Sequence, residues 1–290
     1  MIQLTTEQLF LGTSGWGYDE WLGVFYPSKL RKELMLPFLS EIFPTVEVNT
    51  SFYHLPSIKS VKKWARITQD DFIFAVKIPR TITHDKKLKE DWKNDLEAYL
   101  KIIGEGFGKK LGPSLLQLPP SFTASEIDRL EEFLSEWPQE YQLSVEFRHK
   151  SWLSEGERSP VFNLLDAYNV AYCIVSEPLL PPIIGPRTAS FAYIRWHGFG
   201  SNIWYDYNYS KEEIREWVPR VEQILSESKQ VFGFWNNHYR GNAPTNCNEI
   251  LQMLGKSPKS PNQVDSGQVL KKATGKSVDH SKSLDFWLKT

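Results

Sequence analysis

Along this chain, short β-branched and aromatic runs alternate with longer stretches whose apolar residues recur every three or four positions. The short runs are Phe10–Thr13, Thr45–Asn49, Phe72–Lys77, Ser114–Leu118, Leu143–Phe147, Ala171–Val175, Phe191–Trp196 and Val231–Trp235. Each is bounded by Gly, Pro, Asn or charged residues, the punctuation of a short buried strand. The longer stretches predict helices over Lys29–Phe43, Ser57–Ile67, Asp91–Ile103, Ala124–Trp137, Val161–Tyr168 and Lys211–Ser226. A last helix is predicted to about Leu254, with Pro244 at its first position. Thr123 with Glu126, and Ser210 with Glu213, have the spacing of capping boxes. Pro219 falls inside one predicted helix and is expected to kink it.

Strands that alternate with helices imply a parallel sheet, because parallel neighbours need crossover connections. Eight such units within about 250 residues fit a single (β/α)8 barrel of the TIM type better than an open, doubly wound sheet. One unit is irregular: Glu177–Thr188, between strands six and seven, holds Pro178, Pro181, Pro182 and Pro186. No regular helix accommodates them. Residues 1–255 are read as the barrel domain. Residues 256–290, rich in Lys, Ser and Gly, are read as a polar, flexible C-terminal tail. Within it, Leu284-Asp285-Phe286-Trp287-Leu288 has the apolar content to dock as a short helix.

Side chains alternate along a strand, so residues two apart share a face. A charged residue near the C-terminal end of a barrel strand is tolerable where it faces the open mouth, since the helix side is dry. This parity rule collects Glu47 and Asn49 from strand two, Lys77 from strand three and Gln117 from strand four. It adds Glu146 and Arg148 from strand five, Arg195 and His197 from strand seven, and Asn236 from strand eight. Reactive groups of TIM barrels sit at this end. The competing reading is an ion-pair network that fills the upper barrel and binds nothing.

The same residues carry a resemblance. Gly12-Thr13-Ser14-Gly15-Trp16 with Tyr18 and Trp21, Val46-Glu47-Val48-Asn49 with Ser51-Phe52-Tyr53, and Phe74-Ala75-Val76-Lys77 with Thr83-His84 form its first half. Gln117-Leu118-Pro119-Pro120, Glu146-Phe147-Arg148-His149 with Ser151-Trp152, Arg195-Trp196-His197-Gly198 and Asn236-Asn237 form its second. On these segments the chain resembles the YecE-like proteins, domain-of-unknown-function family 72, from about Leu11 to Leu254. Ser51 stands where that family usually has Thr. The resemblance implies a barrel and supplies no reaction.

Charge narrows the partners. Lys plus Arg number 34 and Asp plus Glu 35, a formal net charge of −1. No long-range positive field draws the chain to nucleic acid or an anionic membrane. No apolar stretch approaches the roughly 18 residues that span a bilayer. Met1–Glu7 shows no basic-then-apolar leader, and only Cys173 and Cys247 are present, so the expected location is the cytoplasm. No oligomeric state is indicated.

The mouth suggests a pocket for a small anionic ligand. Lys77, Arg148 and Arg195 are positioned to converge on a carboxylate or phosphate. The Gly-containing loops after strands seven and eight are the usual phosphate loops of this fold. Glu146 and Glu47, with His197, are the candidate catalytic acid–base groups. Asn49, Gln117 and Asn236 would orient a substrate, and Trp16, Tyr18 and Trp152 would flank a sugar-like ring. No metal motif, nucleophile elbow or nucleotide loop is present, so neither metal nor cofactor is predicted. The sequence therefore points to a hydrolase or lyase for a small anionic or sugar-like substrate, or to a non-catalytic module binding a small ligand or protein.

Overall fold

A computed structural model describes residues 9–89 and 91–275. Its eight strands close into a barrel in chain order, and every pairing is parallel. They are β1 (Leu9–Ser14), β2 (Thr45–Val48), β3 (Ile73–Lys77), β4 (Leu111–Gln117), β5 (Leu143–Glu146), β6 (Ala171–Ser176), β7 (Phe191–Trp196) and β8 (Gln230–Trp235). All eight predicted strands are present. β4 starts three residues earlier than predicted, because Gly112 and Pro113 are absorbed into it rather than ending it.

Helices cover the outside: α1 (Lys32–Ser40), α2 (Thr50–Tyr53), α3 (Ile58–Ile67), α4 (Trp92–Phe107), α5 (Ile127–Glu136), α6 (Pro160–Ala167), α7 (Lys211–Glu227) and α8 (Asn242–Met253). Both capping boxes form. α7 runs continuously through Pro219, with Trp217 and Val221 buried on either side of it. Pro244 sits third in α8 rather than first, since Gly241, in the left-handed region at φ 77°, lets the helix begin at Asn242. The proline-rich connection after β6 forms no helix. Leu180 and Ile183 anchor it in the core, and Thr188 Oγ1 pins it by donating to Val170 O (2.7 Å) and accepting from Tyr172 N (2.8 Å).

The segment past residue 255 differs from its reading as a loose tail. A ninth helix, α9 (Ser266–Thr274), packs on α1 and α3. Its Asp265 cap accepts from Gly267 N (2.7 Å) and Gln268 N (3.3 Å), and Val269 and Leu270 are buried. Two adjacent apolar residues in a polar stretch give no periodicity to read, yet they suffice to anchor two turns. The Leu284–Leu288 segment lies outside the described residues.

The register delivers the strand ends together. Ser14 lies opposite Glu47, Gln117 opposite Glu146 and Val175 opposite Arg195. Side chains that face the axis at these positions must meet. Gly198, just past β7, sits at φ 98°, where a Cβ would lie 2.4 Å from Trp204 O, so only Gly lets this loop fold over the mouth.

Leu270→Ala tests the α9 anchor. Chemical denaturation should show a loss of about 2 kcal/mol. An unchanged midpoint would return the segment to a loose tail.

Candidate active site at the strand mouth

Inside the barrel, Arg195 from β7 bridges two carboxylates. Its Nη2 donates to Glu47 Oε1 at 2.8 Å and its Nη1 to Glu146 Oε2 at 2.6 Å. Ser14 Oγ donates to Glu47 Oε1 (2.8 Å) and Tyr193 OH to Glu47 Oε2 (2.7 Å). Gln117 Nε2 donates to Glu146 Oε1 at 2.9 Å. Arg148 closes the network, pairing with both Glu146 and Glu177. Arg195, Glu47 and Glu146 are almost wholly buried. Burial opposes ionisation of Glu146, but Arg148 and Arg195 outweigh it and hold the carboxyl well below the usual carboxylate range.

His197 is buried beside them. Arg148 Nη2 approaches its Nε2 to 2.9 Å and Arg195 Nη1 to 3.5 Å. Both are obligate donors, so Nε2 accepts and Nδ1 carries the proton. The Asn236 amide, 2.9 Å from Nδ1, must then turn its oxygen to the ring. Burial and the two guanidinium groups push His197 down to about 3, so the ring is neutral. Its geometry suits orienting Arg148 rather than giving up a proton.

Two titratable groups lie at the edge of this closed set. Lys77, at the end of β3, is half-buried, with Nζ 4.0 Å from the centre of the Phe52 ring. Among the described residues its Nζ has no hydrogen-bond acceptor. Burial, with Arg195 next, lowers it to about 7. Glu177, one residue past β6, is pushed up to about 7 by burial against the pull of Arg148. Its Oε1 is buried and unpartnered, as is Asn49 Oδ1. His84, packed edge-on against Phe52 at 4.9 Å, is lowered to about 4 by burial and by Lys77.

The structure thus brings Glu47, Gln117, Glu146, Arg148, Arg195, His197 and Asn236 into one network, with Lys77 and Asn49 at its rim. It separates the aromatic candidates. Trp16 is half-buried and meets Trp64 edge-on at 5.3 Å. Tyr18 stacks on His238 at 4.7 Å and donates to Ser14 O at 2.8 Å. Trp152 lines no opening: it is 1% exposed, stacked on Phe147 at 4.7 Å, and its Nε1 donates to Phe122 O at 2.9 Å. A Trp in the loop that follows a strand is as suited to roofing the helix layer as to flanking a ligand.

Two members of the network, Ser14 and Glu177, escaped the sequence reading, while Tyr193 shares the face that strand alternation gives Arg195 and His197. Ser14 follows from its register with Glu47. Glu177 continues the face of Cys173 and Val175, but β6 was ended at Val175. Buried Cys173 faces this network too, 3.8 Å from Glu146 Oε2, and burial pushes its thiol up. The loop after β7 closes on itself, with Gly198 N donating to Tyr209 OH (3.0 Å) and Gly200 N to Trp204 O (3.3 Å). Those two donors are not free for a phosphate. Among the described residues, no three His, Cys, Asp or Glu side chains converge to hold a metal ion.

A cleft of about 410 Å³ beside the mouth is lined by Thr50, Tyr53, His54, Pro56, Ser60 and Trp64. A second, of about 510 Å³, lies at the opposite end of the barrel. Its Glu41 is already paired with Lys259 at 3.0 Å and with Gln69.

Removing one partner of a buried pair leaves a charge uncompensated. Arg195→Met should therefore cost about 3–5 kcal/mol at pH 7 in denaturant titrations. The stability that Glu146 contributes is present above the ordinary carboxylate pKa and lost as pH falls through its depressed folded value. The gap between variant and wild type should narrow below about pH 4. A gap independent of pH would argue against the ion network.

The chain is similar to other proteins over most of its length. A family model described as a protein of unknown function, DUF72, matches residues 10–269. The UPF0759 protein YunF of Bacillus subtilis is 24% identical over 89% of this chain and 99% of its own length. UPF0759 protein YecE of Escherichia coli is 30% identical, over 53% of this chain and 54% of its own length. A crystal structure of a DUF72 family protein from Thermotoga maritima has 32% identity and a TM-score of 0.74, covering 86% of this chain and all of its own. One from Enterococcus faecalis, at 21% identity and a TM-score of 0.72, has the same fold. With a family model spanning the barrel from β1 into α9, the chain belongs to the DUF72 family.

Proposed function

We propose that the strand mouth is a small-molecule site performing hydrolase- or lyase-type chemistry on an anionic or sugar-like substrate. One observation carries the reading: among the described residues, Lys77 Nζ at the end of β3 has a ring face but no hydrogen-bond acceptor, while both neighbouring arginines are neutralised by glutamates. Leaving a lysine half-buried and unpaired is unfavourable for the fold alone. A ligand that supplies the missing acceptor accounts for it.

The roles then shift from those read in the sequence. Arg195 and Arg148 act as scaffold charges rather than as the anion clamp, and Lys77 takes the anion. Glu47 and Glu146 are fully engaged, so the acid–base role passes to Glu177, which titrates near 7 and has an unpartnered oxygen. Gln117 holds Glu146, Asn236 holds His197, and Asn49 Oδ1 is left to accept from a substrate hydroxyl. Trp16, Tyr18 and the Tyr53–Trp64 cleft supply aromatic faces for a ring. The complete burial of Glu47 and Glu146 supports a second reading, a site that binds without turnover. For membrane contact, no described helix is long and apolar enough to cross a bilayer.

A thermal-shift panel of carboxylates, phosphorylated metabolites and sugars tests this. A ligand at 100 times its dissociation constant should add about 2.7 kcal/mol. The shift should vanish in Lys77→Met, and a hit that survives there would place the ligand elsewhere. Because the anion binds the charged amine, affinity should weaken about tenfold per pH unit above 7 and level off below it. Turnover that persists in Glu177→Gln would remove Glu177 as the acid; binding with no turnover by wild type would favour the second reading.

Ligand-free Lys77→Met should also be more stable than wild type at pH 7. A gain of about 1 kcal/mol would raise the melting point by roughly 2–4 °C in a chain of this size. A lower melting point would mean that Lys77 supports the fold.

A further inference from the structure

The inference rests on the mouth being a small-molecule site and names its substrate class. We propose that Lys77 is a covalent nucleophile whose Nζ forms a Schiff base with the aldehyde or ketone carbonyl of the substrate.

Geometry supports this before any titration is considered. Nζ lies over the π face of Phe52, 4.0 Å from the ring centre, a contact that favours the ammonium more weakly than a carboxylate would, and it is hydrogen-bonded to nothing described. Its lone pair has no competing use once the proton leaves. The cationic neighbours cannot swing to relieve it, because Arg195 is locked between Glu47 and Glu146, and Arg148 between Glu146 and Glu177. Desolvation next to fixed positive charge is the setting in which a lysine amine becomes nucleophilic near neutrality. The charged and titratable groups facing it are Glu47 on β2, Glu146 and Arg148 on and after β5, Arg195 on β7, and His84 after β3. Of these, His84 is neutral at pH 7 and the two glutamates are already paired with the arginines. None takes the Nζ proton as a permanent partner.

The step balances with groups in the mouth. The Nζ lone pair attacks the carbonyl carbon, the C–N bond forms, and the carbonyl π pair moves to oxygen. One proton passes from Nζ to that oxygen and a second is assigned to the Glu177 carboxyl, which an adduct reaching from β3 across to the end of β6 would meet, so water leaves. The products are an iminium ion on Lys77 and an ionised Glu177. The iminium accepts the electron pair of a C–H bond at the adjacent carbon, whose proton passes to the ionised Glu177, or of a C–C bond whose far carbon leaves as a carbonyl while its hydroxyl proton passes to Glu177, giving an enamine. Reprotonation and hydrolysis return the amine, and no oxidant or reductant is needed. The substrate class is a small hydroxylated or carboxylated aldehyde or ketone, whose hydroxyl meets Asn49 Oδ1.

Cyanoborohydride trapping on the intact protein tests the idea. The probes are pyruvate, dihydroxyacetone phosphate, glyceraldehyde 3-phosphate, ribose and glucose at pH 7.5, with adducts located by peptide mass spectrometry. At least one probe should modify Lys77 about tenfold or more faster than any other lysine, since exposed lysines are almost wholly protonated there. Its rate should climb with pH to about 7 and then level, whereas exposed lysines keep climbing. Lys77→Arg should lose the adduct yet keep the thermal shift of an anionic ligand. Adducts spread over exposed lysines without enrichment at Lys77 overturn the covalent role. If Lys77→Met still abolishes ligand thermal shifts in that case, the ligand site stands without the covalent step. If wild type shows neither adduct nor shift, both readings fall.

Discussion

Arg195 between Glu47 and Glu146 is the interaction on which the rest of this structure depends. It joins β7 to β2 and β5 through the barrel interior, where water cannot screen a charge. Each ion alone would be intolerable there; together, with Ser14, Tyr193 and Gln117 filling the remaining hydrogen-bonding positions, they are stable. An apolar layer would fill the same space with less risk to the fold. What the ion layer adds is a fixed field at the strand mouth.

Two groups sit at the edge of that layer, Lys77 unpaired by any carboxylate among the described residues and Glu177 held by Arg148. Burial is the main cause at both: it lowers Lys77, with Arg195 helping against Glu146 and Glu47, and it raises Glu177, with Glu146 helping against Arg148. Both groups reach neutrality from opposite directions and titrate near 7. They stand three strands apart around one mouth, an amine on β3 and a carboxyl just past β6. A pair of groups both poised near neutral pH is what acid–base chemistry at that pH asks of a protein. The loop after β7 is held closed by Gly198 N donating to Tyr209 OH, and Trp152 is packed away from the mouth with its Nε1 donating to Phe122 O.

Much of this was legible in the sequence, for physical reasons. Alternation along eight short apolar runs fixed which residues face the axis, so Glu47, Glu146, Arg195 and His197 were brought together before any coordinates. Parity does not say who pairs with whom. It placed three cations at one mouth and could not show that carboxylates already hold two of them, leaving Lys77 alone. Glu177 was missed because a strand ended one residue early hides the next residue on its face. Trp152 was misplaced because an aromatic beside a strand end looks the same in sequence whether it roofs the helices or lines the opening. α9 was missed because two buried residues, Val269 and Leu270, leave no period to detect.

The central claim is that burial at the strand mouth, beside glutamates already paired with Arg195 and Arg148, keeps Lys77 as an available amine at neutral pH. Titrating the lysine side chains by NMR, with Lys77→Arg to assign the resonance, measures it directly. The expected result is one lysine with a midpoint near 7, absent from the variant, and all others near 10.4. A spectrum in which every lysine titrates near 10.4 would contradict the account.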